Sequence, residues 1–222
     1  MSQHKSSQPA PNADRIAALV EPMLLPGRTI PPDLWERLAT YLELLQRWNQ
    51  RMNLTAVRDT EEMARVHIAE SLHCAQILPE KIKTLLDFGS GAGLPGIPIQ
   101  LLRQEMAVTL AESQTKKAIF LREAVRTLGL AQTQVHAGRV EALAPAQQWD
   151  AVSLRAVDKM ELALVEAARR VRGGGWCVVL TTEAQVENTQ ACLPEMDWQS
   201  AQDLPGTRQR VVLLGQKPAA AS

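Results

Sequence analysis

The sequence predicts an α/β fold: a mainly parallel sheet covered by helices on both faces, with an antiparallel last strand and an N-terminal helical cap. Three observations predict it. From residue 83 short β-rich runs alternate with helical runs, the pattern of successive βα units. Before residue 80 only helical periodicities occur. Near the end, Pro205 and Gly206 set a turn ahead of one more β-rich run, which predicts a hairpin and hence an antiparallel edge.

Each element has its own signal. Ile16, Leu19, Val20 and Met23 fall at helical spacing, and Pro22 must shorten or kink that helix. In "PPDLWERLATYLELLQRWN", Pro32 suits a first helical turn, and Leu34, Leu38, Tyr41, Leu42 and Leu45 form one apolar stripe. Asp59 and Thr60 can cap a third helix, which carries His67 and His73 toward Leu78 and Pro79. The strands follow as "KTLLDF", "AVTLAE", "TQVHAG", "WDAVSL", "WCVVLT" and "QRVVLLG". Helices are predicted between them at about 95–104, 114–128, 158–171 and 183–192, and "RGGGW" closes one of them into a strand. Residues 1–12 read as a disordered tail, 13–80 as the cap, 81–217 as the sheet domain and 218–222 as a second tail, all one unit because no long linker intervenes.

Composition narrows the function classes. The tail "MSQHKSSQPAPN" is polar and lacks the apolar core of a secretory signal. No apolar run approaches the roughly 20 residues of a membrane helix. Cys74, Cys177 and Cys192 are odd in number and widely spaced, which argues against a disulfide framework or a zinc site and for a reduced, cytoplasmic compartment. His67 and His73 are six apart on different helical faces, so no metal pair is expected. With 24 basic and 24 acidic residues the net charge is zero, so the overall field does not announce a nucleic-acid partner. Local basic clusters do occur, at Arg47 and Arg51, at Lys116, Lys117 and Arg122, at Arg169, Arg170 and Arg172, and at Arg208 and Arg210. No long exposed apolar stripe is evident, which favours a monomer.

The chemistry concentrates in "LLDFGSGAGLPGIPIQLL", the first strand-to-helix turn, where open α/β sheets bind ligands. Gly91, Gly93 and Gly96 satisfy the dinucleotide fingerprint, a weak signal by itself. Asp87, Gly89, Gly91 and Gly93 fit acid-x-Gly-x-Gly-x-Gly better. A carboxylate at that strand end would face a cation such as the α-ammonium of S-adenosylmethionine and repel a pyrophosphate. Pro95 and Pro98 remove two N–H donors from the following turn, weakening an anion site. Glu112 ends the second strand nineteen positions after Gly93, where an acid commonly grips a ribose. Plainer roles stand beside these: Asp87 as a turn cap, Glu112 as a carboxylate at the next helix N-terminus, Arg155 as a partner of Asp158, Arg51 as a solvated helix end, and Trp48 and Asn53 as fasteners of the cap.

From about Leu38 to Lys217 the chain resembles the RsmG family, also known as GidB, bacterial methyltransferases of guanine N7 in small-subunit rRNA. The resemblance rests on "WNQRMNLTAV", "DFGSGAGLPGIP", "ESQTKKAIFLREAVRTLGL", "GRVEAL" and "LRAV". It implies a class I, Rossmann-like methyltransferase with a seven-stranded sheet and S-adenosylmethionine as cofactor. Gly89 and Leu94 match loop positions that contact the cofactor, Val140 and Glu141 the pair beside its adenine, and Arg155 the cofactor-site arginine, the one catalytic candidate. Lys116, Lys117 and Arg139, with Arg51 and Asn53, are similar to the surface that meets RNA. Three positions depart from the family: Glu70 stands for a usual Asp, Lys117 for a usual Arg, and Leu154 for a usual small polar residue. The implied partner is 16S rRNA, in a 30S subunit or its precursor, methylated in the decoding-region loop. N7 has a free lone pair, so in-line displacement needs no general base. The rivals are an NAD-linked oxidoreductase, which the three glycines would serve, and an inactive RNA-binding or ribosome-assembly protein on the same fold.

Overall fold

Strand alternation organises the molecule. Within β1 (Thr84–Phe88), Leu85 faces one core and Leu86 the other, the two-residue period of a strand buried on both faces. The structure, a computed structural model, describes residues 12–27 and 29–219. Apart from Asn12, the expected tail at 1–12 lies outside the described residues, as do 220–222.

The cap forms as the sequence predicts. In α1 (Ala13–Val20) Asn12 is the N-cap, its Oδ1 accepting from Arg15 N at 3.2 Å. Pro22 then diverts the chain into a 3-10 turn, Glu21–Met23. The stripe of α2 (Leu34–Asn49) is wholly buried. Asp59 caps α3 (Thr60–Met63), accepting from Glu62 N at 2.9 Å. One π-helical turn, Ala64–Ile68, joins α3 to α4 (Ala69–Ile77). Such turns re-aim side chains within a helix and are frequent at functional sites.

β1 pairs in parallel with β2 (Ala107–Glu112) on one side and with β4 (Trp149–Arg155) on the other. β3 (Thr133–Ala137) extends the sheet beyond β2, and β5 (Val171–Thr182) beyond β4. β8 (Arg210–Gln216) runs antiparallel to β5, as expected. Its hairpin partner takes the outermost place: β6 (Asp197–Trp198) and β7 (Gln202–Asp203) both pair with β8 from the far side. The pairing register slips by one residue between them, so they are one edge strand interrupted by a bulge, in the seventh position of the sheet. The crossovers are α5 (Gly96–Leu102), α6 (Thr115–Thr127), α7 (Met160–Arg170) and α8 (Val186–Cys192). The glycines of "RGGGW" do not precede the fifth strand but run inside it. Trp149 pairs with Val171 and Ala151 with Trp176, so the extra residues bulge out.

One core packs α1, α2, α4, α5 and α6 on the sheet and runs unbroken from Ile16 to Leu214. The cap thus completes the cover of that face. The second core lies between the other face and α7. Cys74, Cys177 and Cys192 are free thiols.

Candidate active site

The glycine loop leaves β1 at Phe88 and enters α5 at Gly96. Gly89 (φ +67°) and Gly93 (φ +84°) occupy the left-handed region, and a Cβ on Gly93 would fall 2.4 Å from Ile97 Cδ1. The loop is tied down by its own amides. Ser90 N donates to Ala111 O at 2.9 Å, Gly91 N to Glu112 Oε2 at 3.0 Å, Gly93 N to Ser90 O at 2.7 Å and Gly96 N to Asp87 Oδ2 at 3.3 Å. From the cap, Tyr41 Oη donates to Ala92 O at 2.5 Å.

Beside this loop, at the carboxyl ends of β1 to β4, a cavity of about 440 Å³ opens. Phe88, Ala111, Val140 and Ala163 give it apolar walls, and Gly89 leaves the approach to its floor without a Cβ. Glu112 stands in the wall, its Oε1 accepting from Gln114 N at 2.7 Å. The carboxylate therefore braces both the glycine loop and the start of α6, while each oxygen keeps a second lone pair. Lys117, Arg139 and Lys159 supply basic groups around the cavity, and Glu141 and Asp158 acidic ones. A second cavity, of about 430 Å³, lies between α7 and α8 and shares Lys159 and Leu162 with the first.

Of the sequence candidates, Gly89, Glu112, Lys117, Arg139, Val140 and Glu141 meet at the main cavity. Gly91, Gly93 and Leu94 do not line it; they shape the loop, with Leu94 packed into the core. Asp87 is a correction. It is 1% exposed and absent from the cavity wall, accepting from Ser153 Oγ at 2.8 Å and from Gly96 N, and burial pushes its carboxyl up to about 6. It braces the loop from beneath, the turn-capping role, and the argument that it repels a pyrophosphate loses its footing. A different observation replaces it: the amides of Ser90, Gly91, Gly93, Leu94 and Gly96, most of those the loop could offer a pyrophosphate, are bonded within the protein, and Pro95 has none.

Lys116 is exposed beside the cavity without lining it. Arg51 and Asn53 lie in the exposed turn after α2, where Asn53 Oδ1 accepts from Arg58 Nη2 at 2.8 Å. The residue that organises this turn is Asn49, whose Oδ1 accepts from Leu54 N and Thr55 N and whose Nδ2 donates to Thr55 O and Val57 O. Trp48 Nε1 fastens the cap to α6 through Glu123 Oε2 at 3.1 Å.

Arg155 also departs from expectation, pairing not with Asp158 but beneath the cap. Its Nη2 lies 2.9 Å from Glu70 Oε2 and 2.8 Å from His67 Nδ1. Glu70 is fully buried and takes a second guanidinium, Arg210 Nε at 3.3 Å, with Thr207 Oγ1 at 3.4 Å. Burial raises the Glu70 carboxyl and lowers the Arg155 guanidinium, while their mutual attraction opposes both shifts. Burial, then Arg155 and Arg210, depress His67 to about 3, so the ring is neutral. His67 and Glu70, three residues apart around the π turn, carry this cluster, and neither was among the site candidates the sequence offers.

A sheet of this order, with a glycine loop after its first strand and an acid ending its second, defines a class I methyltransferase. Solved structures agree at the level of fold. An O-methyltransferase family protein from Burkholderia thailandensis superposes with a TM-score of 0.57 at 13% identity, over 97% of this chain and 75% of that one. An S-adenosylmethionine-dependent O-methyltransferase from Thermotoga maritima gives 0.56 at 16%, over 80% and 72%. Within the class, residues 34–208 match the family model for rRNA small subunit methyltransferase G. The chain is 39% identical over 198 residues to the ribosomal RNA small subunit methyltransferase G of Alkalilimnicola ehrlichii, covering 87% of this chain and 88% of that protein. It is 36% identical over 222 residues to that of Stenotrophomonas maltophilia, covering 97% and 100%. The chain belongs to the rRNA small subunit methyltransferase G family. It is a ribosomal RNA methyltransferase, and S-adenosylmethionine is its cofactor.

Proposed function

We propose that the protein methylates N7 of a guanine in the decoding-region loop of 16S rRNA, within a 30S subunit or its precursor, and that it works as a monomer in the cytoplasm. The observation that carries the N7 assignment is the state of the groups around the carboxyl end of β4. His67 has its Nδ1 lone pair committed to Arg155, and Glu70 is committed to two guanidiniums. Neither is available as a base, which leaves Asp158, the carboxylate just past that strand end in the cavity wall, as the group there that a target needing deprotonation would have to use. Guanine N7 needs none, whereas an exocyclic amine or a ribose hydroxyl must lose a proton in the reaction.

The cavity suits the cofactor. Phe88 and Val140 would flank the adenine, and the free lone pairs of Glu112 would accept from the ribose hydroxyls. The bound cofactor supplies an electrophilic methyl on a sulfonium. The protein's part is orientation: Tyr41 and Glu112 hold the glycine loop in one conformation, so that the methyl and the guanine nitrogen are presented in line. Lys117 and Arg139, with Lys116 beside them, would contact phosphates, and binding would weaken as salt rises. N7 lies in a groove too deep to read in a regular A-form helix, which supports a loop as the target.

The test is incubation with methyl-labelled S-adenosylmethionine and unmodified small-subunit particles or their deproteinised RNA, followed by digestion to nucleosides. Label in 7-methylguanosine at one site supports the proposal. Label in another nucleoside overturns the N7 assignment, and cofactor binding without label would leave an RNA-binding or assembly protein on this fold.

A further inference from the structure

The basic clusters of this chain differ in what they are bonded to. Arg169, Arg170 and Arg172 are consumed within the protein, the first two by Glu166 and the third by Asp150. The outer face of α6 is the opposite case. Lys116, Arg122 and Arg126 are exposed there, and among the described residues none of them makes an ion pair or hydrogen bond. The helix holds one acid, Glu123, and the cap takes both of its oxygens: Oε1 accepts from Arg47 Nη2 at 2.8 Å and Oε2 from Trp48 Nε1 at 3.1 Å. In a chain of zero net charge, one helix thus keeps a positive face with no free carboxylate of its own to neutralise it. Arg122 and Arg126 stand four apart, where like charges on a helix repel, so the face is retained at a cost to the free protein. Ile119, three residues from both Lys116 and Arg122, sets an apolar side chain, 48% exposed, among these cations.

The face is continuous with the main cavity. Lys117, in the first turn of α6, lines that cavity together with Arg139. From Lys116 to Arg126 the helix leads away from the mouth for about 15 Å, at a rise of about 1.5 Å per residue, a length over which one strand presents several phosphates. We propose that the outer face of α6 is a rail for single-stranded rRNA: Lys116, Arg122 and Arg126 hold phosphates, Ile119 packs against a base or ribose, and the strand so held runs to the guanine at the cavity. An unpaired row of cations complements a polyanion, and the polyanion that this chain methylates must come to the end of that row. The proposal rests on the reading of Lys117 and Arg139 as phosphate contacts and extends it along the helix.

Arg122→Gln with Arg126→Gln removes two charges and keeps side chains that favour a helix. Lys81→Gln with Lys83→Gln removes two exposed, unpaired charges before the amino end of β1, away from the cavity, and is the control. Fluorescence anisotropy with a single-stranded RNA oligonucleotide, repeated across salt concentrations, reads both affinity and its salt slope. The α6 variant should bind about tenfold more weakly at low salt, with the slope of log affinity against log salt flatter by about 1.4. Ile119→Ser should bind about threefold more weakly with the slope unchanged, because an apolar contact releases no counterions. The Michaelis constant of the α6 variant for deproteinised small-subunit rRNA should rise with its loss of affinity. Its melting temperature should not fall, since a repulsion is relieved, and calorimetry with S-adenosylhomocysteine should show the cofactor site intact. An α6 variant that binds RNA as well as the control overturns the proposal. If Lys117→Ala with Arg139→Ala still weakens RNA in that case, the strand stops at the cavity and the reading beneath stands; if it does not, that reading falls as well. A loss seen with 30S particles and absent with deproteinised RNA assigns the face to a ribosomal protein and equally overturns the proposal.

Discussion

Asp87→Asn should stabilise the protein at neutral pH. The carboxyl is buried, and its pKa rises from 3.8 to about 6, with burial the largest cause and the bonds from Ser153, Ser90 and Gly96 opposing it. A folded-state pKa above the unfolded value means that the native state binds the proton more tightly. This group's contribution to stability is therefore complete below the unfolded pKa and is lost as pH rises through about 6. A shift of that size corresponds to about 3 kcal/mol. An asparagine carries no such penalty, and it fits the same partners: its carbonyl oxygen accepts from Gly96 N and its amide donates to Ser153 Oγ. Urea unfolding between pH 3 and 8 measures the difference. The variant should match wild type at the acid end and gain up to about 3 kcal/mol above pH 7, a rise of about 6–12 °C in melting temperature for a chain of this length. A variant less stable than wild type at pH 7.5, or a difference that does not vary with pH, refutes the reasoning. Loss of cofactor affinity without loss of stability would show instead that the charge serves the ligand.

Three further outcomes follow from the geometry. Tyr41→Phe removes the bond to Ala92 O and leaves that carbonyl unsatisfied under the cap, which should cost about 1–2 kcal/mol in denaturant unfolding and weaken cofactor binding. Gly93→Ala must push a Cβ against Ile97 at a positive φ, so the glycine loop should shift, with cofactor affinity in calorimetry falling more than global stability. The double variant Lys117→Ala, Arg139→Ala should weaken RNA binding for all sequences alike and flatten the slope of log affinity against log salt by about 1.4, two contacts at about 0.7 each for a single strand.

The sheet was legible in the sequence because each strand is a short run of β-branched and apolar residues between glycine-rich or polar turns. Ala107–Glu112 falls on its predicted limits. The direction of Asp87 and Arg155 was also legible, though only from the strand period. Asp87 shares a face with Leu85, and Arg155 with Ser153 and Ala151, so both point toward the cap and not toward the cavity reached past Phe88. Their partners were not legible. Glu70 is joined to Arg155 and Arg210 across 85 and 140 positions of chain, and His67 to Arg155 across 88. Such pairings depend on how the cap seats on the sheet, and the π turn that sets the angle of His67 leaves no signature in residue type. Lys159, held in a left-handed conformation at the start of α7, was missed for the same reason: a lysine gives no warning of a positive φ.

The position of β8 bears on how the chain is made. It lies inside the sheet, between β5 and the edge, yet it is synthesised after every other strand. Until it arrives, β5 presents the apolar run Cys177–Leu180 along an open edge, a template for pairing with another molecule. Arg210 arrives with the same strand, so Glu70, made far earlier, waits through most of translation for its second guanidinium. A nascent chain of this protein should accordingly depend on chaperone cover late in synthesis, and truncation within β8 should produce aggregation in place of a smaller folded enzyme.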